Sequence, residues 1–291
     1  MKHSILKTGL LATHNLILHN DYNYQGGDVE GATFVGGDLN TSGQASDFGS
    51  KFGTKVNANN AALSVVGDVN GSTTWNGQTI YGDIHVQHGD FVYGGALNAN
   101  PIMNGGGAVY QDKSLSIANI WNELTQASTD TLNAITSNQK ELTYTGSDAV
   151  AVFNYSADDL FAQNTSLMLN AGSADTVVIN VSGKAIKAGG GTNLVNGFNH
   201  NGIGAANILW NFYEAESVDF NNLAMWGAIL AVDADLTGGA VFDGSVAALS
   251  YTGAREFHKF DFNPPVEVSE PGALALFALG LIAMIRRRKI A

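Results

Sequence analysis

The chain has 291 residues, a formal net charge of −12 and no cysteine. Disulfides and thiolate metal centres are therefore excluded, so packing and hydrogen bonds alone must hold the fold. The acidity repels phosphate backbones and argues against a nucleic-acid partner. The 35 glycines, beside 4 prolines and 14% charged residues, point to a repetitive β architecture rich in tight turns.

Lys2 and Lys7 give Met1–Lys7 the character of a positive n-region. The apolar stretch Thr8–Thr13 is short, and no small-residue cleavage site precedes His14. Residues 1–14 are thus expected to be a degenerate or truncated export signal. Residues 15–110 contain short β-type runs broken by glycine-aspartate corners. They include Phe34-Val35-Gly36-Gly37-Asp38-Leu39-Asn40, Val65-Val66-Gly67-Asp68-Val69-Asn70, Ile80-Tyr81-Gly82-Asp83-Ile84 and Phe91-Val92-Tyr93-Gly94-Gly95. Glycine supplies unusual backbone angles at such corners, and Asp or Asn bonds the turn. Strands this short cannot bury themselves alone, but stacked as rungs they build one core. A Greek-key sandwich is the competing architecture.

From Asp112 to Gln139 there is no glycine or proline, and Leu115, Ile117, Ile120, Trp121, Leu124, Leu132 and Ile135 recur at helical spacing. The pattern predicts one amphipathic helix over about 112–139, capped by Asp112 or Ser114 and broken near Ser128-Thr129, along one flank of the β domain. β signals then resume at Ala149–Phe153, Thr176–Val181, Asn207–Phe212, Ser217–Phe220, Ala228–Val232 and Ser245–Leu249. Residues 15–262 read as one domain: an irregular, mainly β solenoid with one long flanking helix. Residues 263–268 follow as a short extended linker.

The end of the chain has three parts: Val268-Ser269-Glu270-Pro271, the uncharged run Gly272–Ile285, and Arg286-Arg287-Arg288-Lys289. As a helix the run extends about 21 Å at roughly 1.5 Å per residue, short of a hydrocarbon core of about 30 Å. The basic cluster is expected to hold its end in the cytoplasm, placing the domain across the membrane. Without those four cations the chain carries about −16. A buried C-terminal core helix is the competing reading, but such helices rarely end in four consecutive cations.

This tail resembles the PEP-CTERM signal of Gram-negative bacteria, with Glu270 and Pro271 matching and Ser269 in place of the first proline of Val-Pro-Glu-Pro. The resemblance implies export, transient retention in the inner membrane, cleavage by an exosortase-type protease, and release to the cell surface or exopolysaccharide matrix. A second resemblance covers residues 15–262. Asn15–Asn23, Asp28–Gly31, Val35–Asn40, Ile208–Phe212, Gly227–Ala231 with Asp235, Gly244–Ala248 and Glu256–His258 with Phe260 resemble the choice-of-anchor A domain. That family implies an exported domain carried on various surface anchors, adhesive in some relatives and without assigned catalytic residues.

The chain has no nucleophile elbow, phosphate loop or dinucleotide glycine motif. His85 and His88 lie three apart, which in a strand points them to opposite faces and argues against a zinc pair. Asp233 and Asp235 share a strand face but read as turn or surface residues, because sequence spacing supplies no glycosidase separation. Glu256 and His258 read as a structural pair closing the last rung. Calcium is the metal best suited to Asp28, Glu30, Asp68 and Asn70, with Asp38-Leu39-Asn40 alike, since oxygen ligands alternate near glycine turns. Turn stabilisation competes with that reading, and no other cofactor is indicated. The expected function is an exported adhesive or structural protein with polysaccharide or matrix-protein partners, not an enzyme. Two alternatives stay open: a β-helical enzyme on polysaccharides, which needs clustered acids and bases on one face, and an ice-binding-type surface, which needs a flat Thr array hinted at by Ser72-Thr73-Thr74.

Overall fold

The structure is a computed structural model that describes residues 9–41, 46–53, 61–132, 142–161, 167–188, 198–199 and 202–263. Residues 1–8, the helix pattern beyond Leu132, the linker from Pro264, the motif Val268–Pro271, the run 272–285 and Arg286–Lys289 lie outside the described residues. Residues 9–14 pack into the domain: the Leu11 carbonyl accepts from Ser245 Oγ at 2.6 Å and from Phe262 N at 3.0 Å.

The chain winds into rungs with three sides. The first rung is β1 (Leu16–Leu18), β2 (Tyr22–Tyr24) and β3 (Asp28–Val29); the second is β4 (Thr33–Val35), β5 (Leu39–Thr41) and β6 (Ser46–Phe48). The third holds β7 (Ala61–Val65), β8 (Val69–Asn70), an inserted hairpin of β9 (Ser72–Trp75) and β10 (Gln78–Tyr81), and β11 (Asp83–Val86). β12 (Asp90–Tyr93), β13 (Leu97–Asn98), β14 (Asn100–Met103) and β15 (Val109–Gln111) complete this half, and helix α1 (Ala118–Leu132) follows. The second half runs through β16 (Val150–Ser156), the short α2 (Ala157–Leu160), β17 (Leu167–Met168), β18 (Thr176–Ser182), β19 (Ala185–Lys187) and β20 (Phe198–Asn199). It closes with β21 (Ile208–Asn211), β22 (Ser217–Asp219), β23 (Met225–Trp226), β24 (Ala228–Thr237), β25 (Val241–Asp243), β26 (Val246–Gly253) and β27 (Glu256–His258).

On the first face the strands stack in the order β16-β18-β21-β24-β26-β1-β4-β7-β12-β15, and on the second β19-β22-β24-β26-β2-β5-β8-β13. The third face stacks β23-β25-β27-β3-β6-β11-β14. These neighbours pair in parallel, which excludes the antiparallel Greek key and establishes the solenoid. The first rung of the chain is therefore not at an end of the stack. It sits in the middle, against the last rung. Asn15 locks this joint: fully buried, it donates to the carbonyls of Gly244 and His258 at 3.1 Å each and accepts from Gly31 N at 3.0 Å.

Rows of like side chains fill the interior, because parallel in-register pairing repeats each position at about 4.8 Å per rung. One row carries Met225, Phe242, Phe257, Val29, Phe48, Val86 and Met103. A second apolar layer lies outside the first face, where Leu124 and Ala127 of α1 are buried with Ile17, Phe34, Val178, Leu230 and Ala247. The helix stripe is core, as its spacing indicates. The helix itself starts at Ala118 rather than near Asp112. Asp112 is drawn into a local turn, accepting from Ser114 N and Oγ at 2.9 and 2.6 Å, and Ser116 Oγ is the acceptor nearest the helix start, 3.3 Å from Ala118 N. No break occurs at Ser128-Thr129, since Thr129 Oγ1 bonds back to Thr125 O and Ser128 is clamped to Asn211. Among the described residues no helix is long and apolar enough to cross a membrane.

Candidate functional site

Among the described residues α1 packs over the first face, while the outward rows of the second and third faces and the β9–β10 hairpin carry exposed or half-buried side chains. The second face grows from one local rule repeated on successive rungs. Asp21 Oδ1 accepts from Asp38 N at 2.8 Å, Asp38 Oδ1 from Asp68 N at 2.7 Å, and Asp68 Oδ1 from Ala96 N at 2.7 Å. Each carboxylate occupies the space where the next rung would carry a side chain. A methyl group at Gly37, Gly67 or Gly95 would lie 2.3, 2.2 and 2.2 Å from the Asp oxygen below. Two residues further on, Asn23, Asn40, Asn70 and Asn98 form a ladder in which the Nδ2 of Asn40, Asn70 and Asn98 each donates to the Oδ1 of the asparagine before it at 3.1 Å, and Asn23 Nδ2 donates to Thr252 Oγ1 at 3.2 Å. This ladder is the outward row of the second face and continues in register through Thr252, Thr237, Asp219 and Lys187. The whole row was legible only in part: Gly-Asp-x-Asn recurs in the sequence, but its continuation through Thr252 and Thr237 depends on the joint.

The third face gathers acids. Glu256, Asp28, Asp47 and His85 share one outward row across β27, β3, β6 and β11. Beside them Asp243, His258 and Glu30 line the neighbouring row. Burial, then the charges of Glu256 and Glu30, push the Asp28 carboxyl above the usual carboxylate range. Burial would do the same to Glu30, but hydrogen bonds from Lys51, at 2.5 Å, and Lys259 N, at 2.8 Å, hold it below. Burial would lower His258, yet bonds from Nδ1 to Asp243 at 2.6 Å and from Nε2 to Glu256 at 3.2 Å outweigh it and raise its pKa. Both ring nitrogens are thereby engaged, which leaves the imidazole no free site for general-base work.

The Glu256–His258 pair thus forms as the spacing indicates, with Asp243 as an unforeseen third member. Asp233 and Asp235 are both exposed on β24, and Asp235 accepts from Ser250 Oγ at 2.6 Å. His85 meets Asp47 at 3.5 Å, while His88 is exposed at a corner. Of the calcium candidates, Asp68 is committed to its corner, Asn70 to its ladder, Asp28 to Ser50 Oγ at 3.4 Å and Glu30 to the two lysines. Among the described residues no group of three or more His, Cys, Asp or Glu is placed to hold a metal ion. Ser72-Thr73-Thr74 is not part of any solenoid face. It forms β9, paired antiparallel with β10 in the inserted hairpin, so the hint of a flat Thr array there is overturned.

Residues 7–259 match the family model described as an ice-binding-like adhesive domain, and residues 267–289 match the PEP-CTERM protein-sorting motif. That motif implies an exported protein processed at the membrane by an exosortase. No curated protein matches the sequence. Among solved structures, the ice-binding protein of the Antarctic ascomycete Antarctomyces psychrotrophicus is similar over 89% of this chain and 100% of its own, at 10% identity and a TM-score of 0.32. A likeness this distant carries no functional argument.

Proposed function

The chain belongs to the family of ice-binding-like adhesive domains, and on that premise we propose that it is an exported, non-enzymatic surface protein that acts by adhesion or scaffolding. The carrying observation is a stack joined to a sorting tail, with two open faces whose polar side chains are already bonded to one another. Such faces are pre-organised, so attachment to an extended partner costs little side-chain ordering. The finer reading places the protein in a Gram-negative bacterium. Residues 272–285 hold it in the inner membrane until cleavage near Val268–Pro271, after which it joins the surface or the exopolysaccharide matrix. The choice-of-anchor A resemblance fits this reading, and we assign no resident cofactor.

Fractionation of a host bearing an exosortase tests the proposal. The full chain is expected outside the cytoplasm, and loss of Arg286–Lys289 is expected to disturb its retention; a chain that stays soluble in the cytoplasm overturns it. Ice binding is the second reading, favoured by the family match and by the regular outward row from Thr237 and Thr252 into Asn23, Asn40, Asn70 and Asn98. Thermal hysteresis by the full chain, lost in Thr252→Tyr, would select it. A polysaccharide-acting enzyme is disfavoured because the acids of the third face are taken up by His258, Gln87, Ser50 and Lys51.

A further inference from the structure

The β9–β10 hairpin stands outside the stack. Its strands pair only with each other in the strand order, antiparallel, whereas the solenoid pairs are parallel. Its root is closed at the corner of the second and third faces, where Gly82 N donates to Gly71 O at 2.7 Å and Asn100 N to Gly82 O at 2.9 Å. Asn76 and Gly77, with φ of +50° and +77°, make the tight turn that suits a two-residue hairpin loop. A lone ribbon of this kind is marginally stable in water. It nonetheless exposes its large apolar side chains: Trp75 is 68% exposed, Ile80 50% and Tyr81 50%. Among the described residues the corresponding corners from β2 to β3, from β13 to β14 and from β22 to β23 carry no such insert.

The register sets Trp75 opposite Gln78 and Thr73 opposite Ile80 on one side of the ribbon, with Tyr81 opposite Ser72 on the other. Each side therefore presents a ring beside hydroxyl or amide groups. From Ser72 to Tyr81 there is no charge, in a chain whose net charge is −12. A sugar ring offers what such a surface recognises, an apolar C–H face with hydroxyls around its edge, and an aromatic face packs on the former while neutral donors and acceptors take the latter. A charged peptide finds no partner charge here. The surrounding acidity, Asp68 and Asp83 at the root included, repels polymers bearing uronate, sulfate or phosphate.

We propose that the hairpin is a binding site for neutral polysaccharide, with Trp75 as the stacking platform and Thr73 and Gln78 bonding sugar hydroxyls. This rests on the adhesive reading and names its ligand class. Affinity electrophoresis of the full chain in mild non-ionic detergent tests it, with gels holding hydroxyethylcellulose, glucomannan or dextran, and alginate as the polyanion. At least one neutral polymer is expected to slow the chain while alginate does not. Trp75→Ala should weaken that binding about tenfold or more, as for aromatic anchors elsewhere, and Trp75→Tyr, which keeps a ring, should retain most of it. The thermal midpoint should not move, because the hairpin lies outside the stack. Indifference to all three neutral polymers, equal retardation by alginate, or a Trp75→Ala effect confined to self-association overturns the site. If cells still attach through a chain that ignores these polymers, the site falls and the adhesive reading stands; a chain held in the cytoplasm sinks the adhesive reading instead.

Discussion

The two halves of the solenoid share one interior but turn their corners by different means. Between residues 16 and 111 the strands are two to five residues long, and the corner from first to second face is closed by a carboxylate reaching the next rung's N–H across a glycine. In the last rungs β24 and β26 run for ten and eight residues and bend round that same corner as continuous strands. The first device needs a glycine on one rung over an Asp on the rung below, so its inner corners write Gly37-Asp38 and Gly67-Asp68 into the sequence, with Asn20-Asp21 and Gly95-Ala96 at its two ends. The second demands only small and alternating residues, and the interior there is held by larger rings such as Phe212, Phe220, Phe242 and Tyr251 in edge-on contact. Each half has its own asparagine ladder: on the second face Asn40 and Asn70 are half-buried, whereas on the first face, beneath α1, Asn180 and Asn211 are fully buried and Asn211 also grips the Ser128 carbonyl of α1.

The joint between the halves is where the comparison breaks most completely. Asn15→Leu leaves the Gly244 carbonyl and the Gly31 N–H without their partner in a buried site and takes from the His258 carbonyl one of its two donors, Phe260 N remaining at 3.0 Å, which should cost on the order of 2–4 kcal/mol. Urea unfolding should then resolve into two transitions in place of one. Next in size, Gly67→Ala drives a methyl group to 2.2 Å from Asp38 Oδ1 and 2.6 Å from Gly37 O, for a loss of about 2–3 kcal/mol. Gly204→Ala in the second half, where the added carbon meets nothing closer than Asn207 Oδ1 at 3.8 Å, should stay within about 0.5 kcal/mol in the same assay. The ladders separate by burial: Asn180→Ala should cost about 2 kcal/mol and loosen α1, seen as faster amide exchange over Ala118–Leu132, whereas Asn40→Ala should cost about 1 kcal/mol.

The smallest effect is a pH dependence at the joint. The folded-state pKa of His258 lies above its ordinary value of about 6.5, so its stabilisation is complete at lower pH and is lost as pH rises through the folded value. Asp28, also raised, acts with the same sign at more acid pH, while Glu30, lowered, opposes it there. The thermal midpoint should fall as pH rises above the ordinary histidine value of about 6.5, and His258→Asn should flatten that fall. An unchanged slope in the variant would remove His258 as its cause.

The first half was readable because a close-packed corner tolerates few residues: Gly36-Gly37-Asp38-Leu39-Asn40 states both the turn and the ladder. Val241-Phe242-Asp243 and Glu256-Phe257-His258 carry the same alternation, with Phe242 and Phe257 buried, but of these only the Glu256–His258 pair was singled out. The charged cluster of the third face was legible only as the pair Glu256–His258, since Asp243 and Asp28 reach it from other rungs. Asp112 misled as a helix cap because its carboxylate serves a turn just as well, and Ser72-Thr73-Thr74 misled because a hairpin strand and a solenoid strand have the same alternation.

By itself, then, the amino-acid sequence determined the kind of rung, the residues that face inward, the apolar stripe of α1 and the sorting tail, all of which depend on neighbours a few positions away. The order of the rungs was decided only by tertiary structure. Parallel strands offer the same backbone edges to any partner, so nothing local says that Val246 will lie against Leu16, or that Asn15 will find Gly244 a separation of 229 residues away. In that order β15 and β16 stand at opposite ends of the first face, α1 lies against its outside between them in sequence, and the last rung closes against the first.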